Sequence, residues 1–161
     1  MPISDAIQTR LAIPSDMARI VLVVNAAFAI ETFIEGQRIT HKEISEMAKK
    51  GEFLIAEDTA GRIVASVYLE LRGQTGYFGM LAVDPAQQGT GIGRAMVNAA
   101  ENYFARRGCN RVDITVLSLR PELPPFYRKL GYRQTGVQEF RPSRPLKRGF
   151  ECHCIVMSKP L

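Results

Sequence analysis

The stretch "DPAQQGTGIGRAM", Asp84 to Met96, sets Gly89, Gly91 and Gly93 within five positions and then runs directly into helical spacing. Glycine weakens a helix, so three of them at a helix mouth need a reason. Before them, "YFGMLAV" reads as an apolar strand that Asp84-Pro85 stops. After them, Ile92, Ala95, Met96, Ala99, Ala100, Tyr103 and Phe104 recur at helical intervals up to Gly108. The first turn of a helix carries unpaired N–H groups and the positive end of the helix dipole. Glycines remove the Cβ atoms that would hold a diphosphate away and permit positive φ. The stretch predicts a phosphate-binding turn, against the alternative of an ordinary strand-to-helix connection.

Spacing separates the phosphate readers that share this logic. A P-loop needs a Lys-Ser/Thr pair after its last glycine, and here Arg94-Ala95 follows Gly93. A dinucleotide fingerprint needs Gly-x-Gly-x-x-Gly after the first strand of a βαβ unit. Arg94 occupies the third glycine position, and the stretch lies halfway along the chain. What remains is Arg/Gln-x-x-Gly-x-Gly/Ala, met by Gln88-Gly89-Thr90-Gly91-Ile92-Gly93.

Working outward, Ile7, Thr9, Leu11 and Ile13 alternate as a first strand. Pro14-Ser15-Asp16 starts a helix with Ser15 as its cap, and Met17, Ile20, Val21, Val24, Ala27 and Phe28 share one helical face. "ETFIEGQRIT" reads as a loop. Thr40 and Glu43 have capping-box spacing and open a second helix ending near Gly51. "EFLIAED" and "RIVASVYLEL" are strands joined by a turn at Gly61, and Gly73 and Gly76 bracket the next turn. "RVDITVL" is β-rich, "FYRKLGY" a short helix starting near Pro124 or Pro125, and "YRQTGVQEF" with "FECHCIVMS" a closing hairpin. The expected class is α/β or α+β: a mixed, mostly antiparallel sheet of about six to seven strands flanked by about four helices. No linker or repeat interrupts residues 1–161, so a single domain is expected.

The glycine motif, the strand "MLAVDP" ahead of it and "PFYRKLGY" further on together resemble the GNAT family of acyl-CoA N-acyltransferases. The second block resembles the family's aromatic pair, Lys/Arg, then Leu-Gly-Phe/Tyr. The resemblance implies acetyl-CoA as cosubstrate, its pyrophosphate wrapped by N–H groups of Gln88, Gly89, Thr90, Gly91, Ile92, Gly93 and Arg94. It implies that the backbone of Leu81 and Val83 pairs with the pantetheine arm, on a strand that is bulged and splayed from the next. Tyr127 falls at the position of the family's acid tyrosine. A phenol is protonated at neutral pH and can hand its proton to a departing thiolate. The Val83 N–H is the candidate for polarising the carbonyl.

The base is open. Some relatives carry a glutamate in the strand before the glycines, where this chain has Tyr77; Glu70, Glu31, Glu35 or a water molecule remain candidates. Where many relatives place an asparagine ahead of the tyrosine, this chain has Arg120, read as either a surface arginine or a ligand contact. The expected reaction is direct acetyl transfer to a primary amine in a ternary complex, the acceptor a small molecule rather than a protein. The alternative is a non-catalytic acyl-CoA sensor on the same fold.

The 46% hydrophobic and 23% charged composition is that of a globular protein, and no stretch is long and apolar enough for a membrane span. With no leader pattern in "MPISDAIQTR", a cytoplasmic protein is expected, monomer or homodimer. The net charge of +5 suits a phosphorylated ligand; without interleaved aromatics it does not point to nucleic acid. Three cysteines do not make a disulfide framework, and "CHC" at 152–154 lacks the further ligands of a zinc site, so no metal is expected. The basic loop from Arg141 to Gly149 is expected near the acceptor, where it would permit a carboxylate or phosphate.

Overall fold

A computed structural model describes residues 6–161; the reading of the extreme N-terminus as free of a leader rests partly on residues outside that range. Seven strands form one sheet: β1 (Gln8–Leu11), β2 (Glu52–Glu57), β3 (Ile63–Arg72), β4 (Thr75–Val83), β5 (Arg111–Leu117), β6 (Arg133–Glu139) and β7 (His153–Pro160). Their spatial order is β1-β2-β3-β4-β5-β7-β6, and every pairing is antiparallel except β4 with β5. Four helices flank it: α1 (Met17–Ala27), α2 (His41–Lys50), α3 (Ile92–Arg106) and α4 (Leu123–Lys129).

Alternation along the strands divides the core between two faces. Phe53 and Ile55 of β2 meet Ile20, Val24 and Ile44 of α1 and α2 on one face. Leu54 and Ala56, one residue out of step, join Met96, Ala100 and Phe104 of α3 on the other. The helix spacing of α3 is therefore the imprint of its sheet-facing stripe. Thr40 caps α2 as its spacing predicts, accepting the Glu43 N–H at 3.2 Å.

Two local readings are corrected. Ser15 does not cap α1; Pro14–Asp16 forms a 3-10 turn instead, and the Asp16 carboxylate accepts the Ile13 N–H at 2.8 Å. The same carboxylate also binds Arg10, at 2.8 and 3.1 Å, and no side chain caps α1. Nor does Gly76 bracket a turn. The reversal lies at Gly73, where φ is +63°, and Gly76 sits inside β4. Its lack of a side chain serves packing: a Cβ there would fall 2.3 Å from Cγ of Phe104.

Candidate active site

The site begins where the sheet opens. β4 and β5 pair only at Thr75–Arg111, Gly76–Val112 and Tyr77–Asp113, and then separate. Beyond the paired stretch β4 bulges against β3 between Gly79 and Ala82, and Met80 takes a φ of +52°. A bulge bends its strand and leaves a residue unpaired, which turns β4 away from β5. A cavity of about 650 Å³ occupies the split. Gly89, Gly91, Gly93, Arg94, Phe126 and Tyr127 line it from the α3–α4 side, and Phe28, Glu31 and Arg38 from the α1–α2 side.

At the glycine turn, Gly89 and Gly91 have φ of +78° and +88°, the left-handed region that favours glycine. Gly91 caps α3 without a side chain, and no acidic residue stands in the first turn. The N–H groups from Gly89 to Arg94 find no acceptor among the described residues. Gln88 differs: its N–H donates to the Pro85 carbonyl at 3.4 Å, and its side-chain amide to the Val83 carbonyl at 3.2 Å. Gln88 thus braces the turn, and the Thr90 hydroxyl adds a bond to the Gln87 carbonyl. The result is a row of free donors at the positive end of a helix, beside a cavity.

The Asp84 N–H donates to the Val64 carbonyl at 2.8 Å, so Asp84 is turned toward β3. Alternation of a pleated strand then turns the Val83 N–H toward the split. Leu81, two residues earlier, also lines the cavity, as does Ile92.

Tyr127 is 6% exposed and packed among Phe78, Phe126 and Tyr132, with ring centroids 6.1, 5.0 and 5.8 Å away. Its hydroxyl has no partner among the described residues, and burial pushes the phenol above its ordinary value. Tyr77 also lines the cavity, with its hydroxyl 3.4 Å from Thr115 Oγ1.

The three candidate carboxylates part company. Glu70 is held by the Tyr68 hydroxyl at 2.8 Å and by Arg72 Nε at 2.7 Å, in a neighbouring groove that meets the split at Tyr77, Gly79 and Met80. Glu35 is exposed and does not line the cavity. Glu31 does, and it is buried at 6% exposure. Arg120 is not a surface residue: Nη1 donates to Glu31 Oε2 at 2.8 Å and Nε to Glu122 Oε1 at 2.5 Å, at the cavity wall.

The 141–149 loop docks on the segment between α1 and α2: Leu146 bridges to Ile34, and the Lys147 N–H donates to Phe33. Two of its four cations are paired within the protein, Arg144 with Glu43 and Arg141 with Glu139. Sequence reading missed Phe28, Arg38 and Phe140 as lining residues. The one local hint was Asn25, on a polar break in the α1 stripe; its side chain both donates to and accepts from the backbone of Ile39 and so fixes the position of Arg38.

Known proteins share this fold. The family model described as an acetyltransferase (GNAT) domain matches residues 21–142. A mycothiol acetyltransferase of Beutenbergia cavernae is 31% identical over 86 residues, 53% of this chain and 29% of that protein. One from Clavibacter michiganensis is 27% identical over 69% of this chain and 38% of its own length, so the chain spans well under half of these curated relatives. Among solved structures, spermidine N-acetyltransferase from Vibrio cholerae in complex with CoA and spermine superposes with a TM-score of 0.77 at 16% identity, over 97% of this chain and 96% of that one. A phosphinothricin acetyltransferase from Sinorhizobium meliloti in complex with AcCoA gives 0.75 at 17% identity, over 97% and 89%. At these identities the superpositions speak for the fold.

Proposed function

The chain belongs to the GNAT acetyltransferase family, and from that premise we propose that it transfers the acetyl group of acetyl-CoA to a primary amine, both substrates being bound together. The observation that carries this reading is the row of unpaired N–H groups from Gly89 to Arg94 opening onto the split that Tyr127 also lines. Named neighbours in complex with CoA or AcCoA support the choice of cosubstrate.

In this reading the N–H groups of Gly89 to Arg94 hold the pyrophosphate at the positive end of α3, with Gln88 as the brace. The backbone of Leu81 and Val83 receives the pantetheine arm as an added strand. The Val83 N–H donates to the thioester oxygen, where negative charge develops. The neutral amine attacks the carbonyl carbon, the N–C bond forms and the C–S bond breaks. Tyr127 gives its proton to the departing sulfur and is reprotonated from solvent, while the proton shed by nitrogen passes to water. The phenol suits that role because burial keeps it protonated.

The test is a panel of primary amines incubated with acetyl-CoA, read by released thiol. Thiol release with one amine class and N-acetyl product by mass spectrometry support the proposal. Tight CoA binding with no turnover of any amine identifies a sensor instead.

A further inference from the structure

On the α1–α2 side of the split, Glu31 presents an unfinished contact. Its Oε2 is bound by Arg120, but Oε1 is buried and accepts no hydrogen bond among the described residues. Arg38 Nη1 stands 3.8 Å from Oε1, an ion-pair distance beyond hydrogen-bonding reach. A buried carboxylate oxygen without a donor is costly unless a ligand supplies one.

Arg38 is the complementary group. Its guanidinium lies over the Phe28 ring, 5.1 Å from the centroid, and donates no hydrogen bond among the described residues. The other basic groups near this side are committed: Arg120 to Glu31 and Glu122, Arg144 to Glu43. Arg94, also without a side-chain partner, lines the cavity from the opposite side of the sheet. Glu31 and Arg38 therefore offer one free acceptor and one free bidentate donor next to each other.

We infer that the acceptor amine carries its own carboxylate, as an α-amino acid does: its nitrogen donates to Glu31 Oε1 and its carboxylate takes the Arg38 guanidinium. The short distance between the two protein groups requires the nitrogen and the carboxylate to be close neighbours in the ligand. A long polyamine satisfies Glu31 but leaves Arg38 facing a like charge. An arginine fork matches a carboxylate with two parallel hydrogen bonds, which lysine cannot reproduce. This assignment rests on the acetyl-transfer reading and names its acceptor class.

The experiment pairs α-amino acids with their α-carboxamides as acceptors, with acetyl-CoA, for the wild type, Arg38→Met and Arg38→Lys. The wild type is expected to favour the acids in kcat/KM by at least about ten-fold. Arg38→Met is expected to erase that ratio through the KM of the acids, with CoA affinity retained. Arg38→Lys, a milder change that keeps the charge, is expected to retain part of the ratio and excludes a folding defect as the cause. Equal wild-type use of acids and carboxamides, or a loss in Arg38→Met that falls equally on both, overturns the inference while leaving acetyl transfer intact. If no amine releases thiol although CoA binds, the acetyl-transfer reading falls and this inference with it.

Discussion

Arg144 grips Glu43 with both terminal nitrogens, Nη1 on Oε2 at 3.1 Å and Nη2 on Oε1 at 2.5 Å, across 101 positions of sequence. The same Nη1 also reaches the Arg38 carbonyl at 3.3 Å. The loop between β6 and β7 is thereby fastened to the segment that carries Glu31 and Arg38. Arg144→Met is expected to raise the acceptor KM roughly three- to ten-fold with CoA affinity unchanged, since it loosens only one wall of the split. The pair is partly exposed, so its stability contribution is at most about 1 kcal/mol. Steady-state kinetics with each substrate varied in turn, and CoA titration calorimetry, check both halves.

The same pair sets an acid dependence. Hydrogen bonds from Arg144 hold the Glu43 carboxyl below its ordinary value of 4.5. A carboxyl lowered in the folded state stabilises it above the unfolded value and loses that contribution as pH falls through the folded one. The gap in urea midpoint between wild type and Arg144→Met is therefore expected to be full at about pH 7 and to close on descent below about pH 4.

Tyr127→Phe removes a hydroxyl that binds nothing among the described residues, so the thermal midpoint is expected to stay within about 2 °C of wild type. Turnover is expected to fall by about ten- to hundred-fold, with CoA affinity unchanged. Because burial holds the phenol above its ordinary value of 10, it keeps its proton across the working range. No alkaline loss of kcat from this group is expected below about pH 10. A pH–rate profile compared with that of Tyr127→Phe reads this directly.

Gly91→Ala and Gly93→Ala are expected to behave differently. At Gly91 the φ of +88° strains any side chain, costing about 1–2 kcal/mol and shifting the donors of the α3 mouth. At Gly93 a Cβ would sit in ordinary contact, 3.7 Å from Phe126 and 3.9 Å from Val83. The thermal midpoint is expected to drop for Gly91→Ala and to remain near wild type for Gly93→Ala, whereas CoA affinity is expected to drop for both, because Gly93 also lines the cavity and its new Cβ crowds the bound diphosphate.

Gly76→Ala forces a Cβ into the Phe104 ring, and overpacking of this kind costs about 1–3 kcal/mol. The double variant Gly76→Ala with Phe104→Leu is expected to recover part of that loss in urea denaturation. A pure strand-propensity effect would give no recovery.

The signals in short stretches were legible in sequence because their physics is local. The α2 cap spans Thr40 to Glu43, and the glycine turn spans Gln88 to Arg94. The α3 stripe repeats every turn and exposes the sheet face it covers. Gly76 was misread because one letter cannot distinguish a glycine needed for a turn from one facing an aromatic ring. Ser15 has the residue type of a cap, but no side chain caps α1; the turn is organised by the Asp16 carboxylate, which takes the Ile13 N–H and Arg10, six residues upstream. The α1–α2 side of the split lay furthest from view: Glu31 meets Arg120 across 89 positions, and neither carries a local mark of that meeting.

The parting of β4 from β5 gives the sheet a third border, placed in its middle. Outer borders of sheets invite other polypeptides to add themselves, with aggregation as the hazard. This inner border faces a cavity bounded by β4 and β5, with α3 and α4 on one side and the α1–α2 segment on the other, and so lies inside the molecule instead of at its rim. In the acetyl-transfer reading, the slender, unbranched pantetheine arm with its amide groups takes that place and completes the ladder. Backbone groups left over by the parting of two strands thereby become a binding surface that needs no particular side chain.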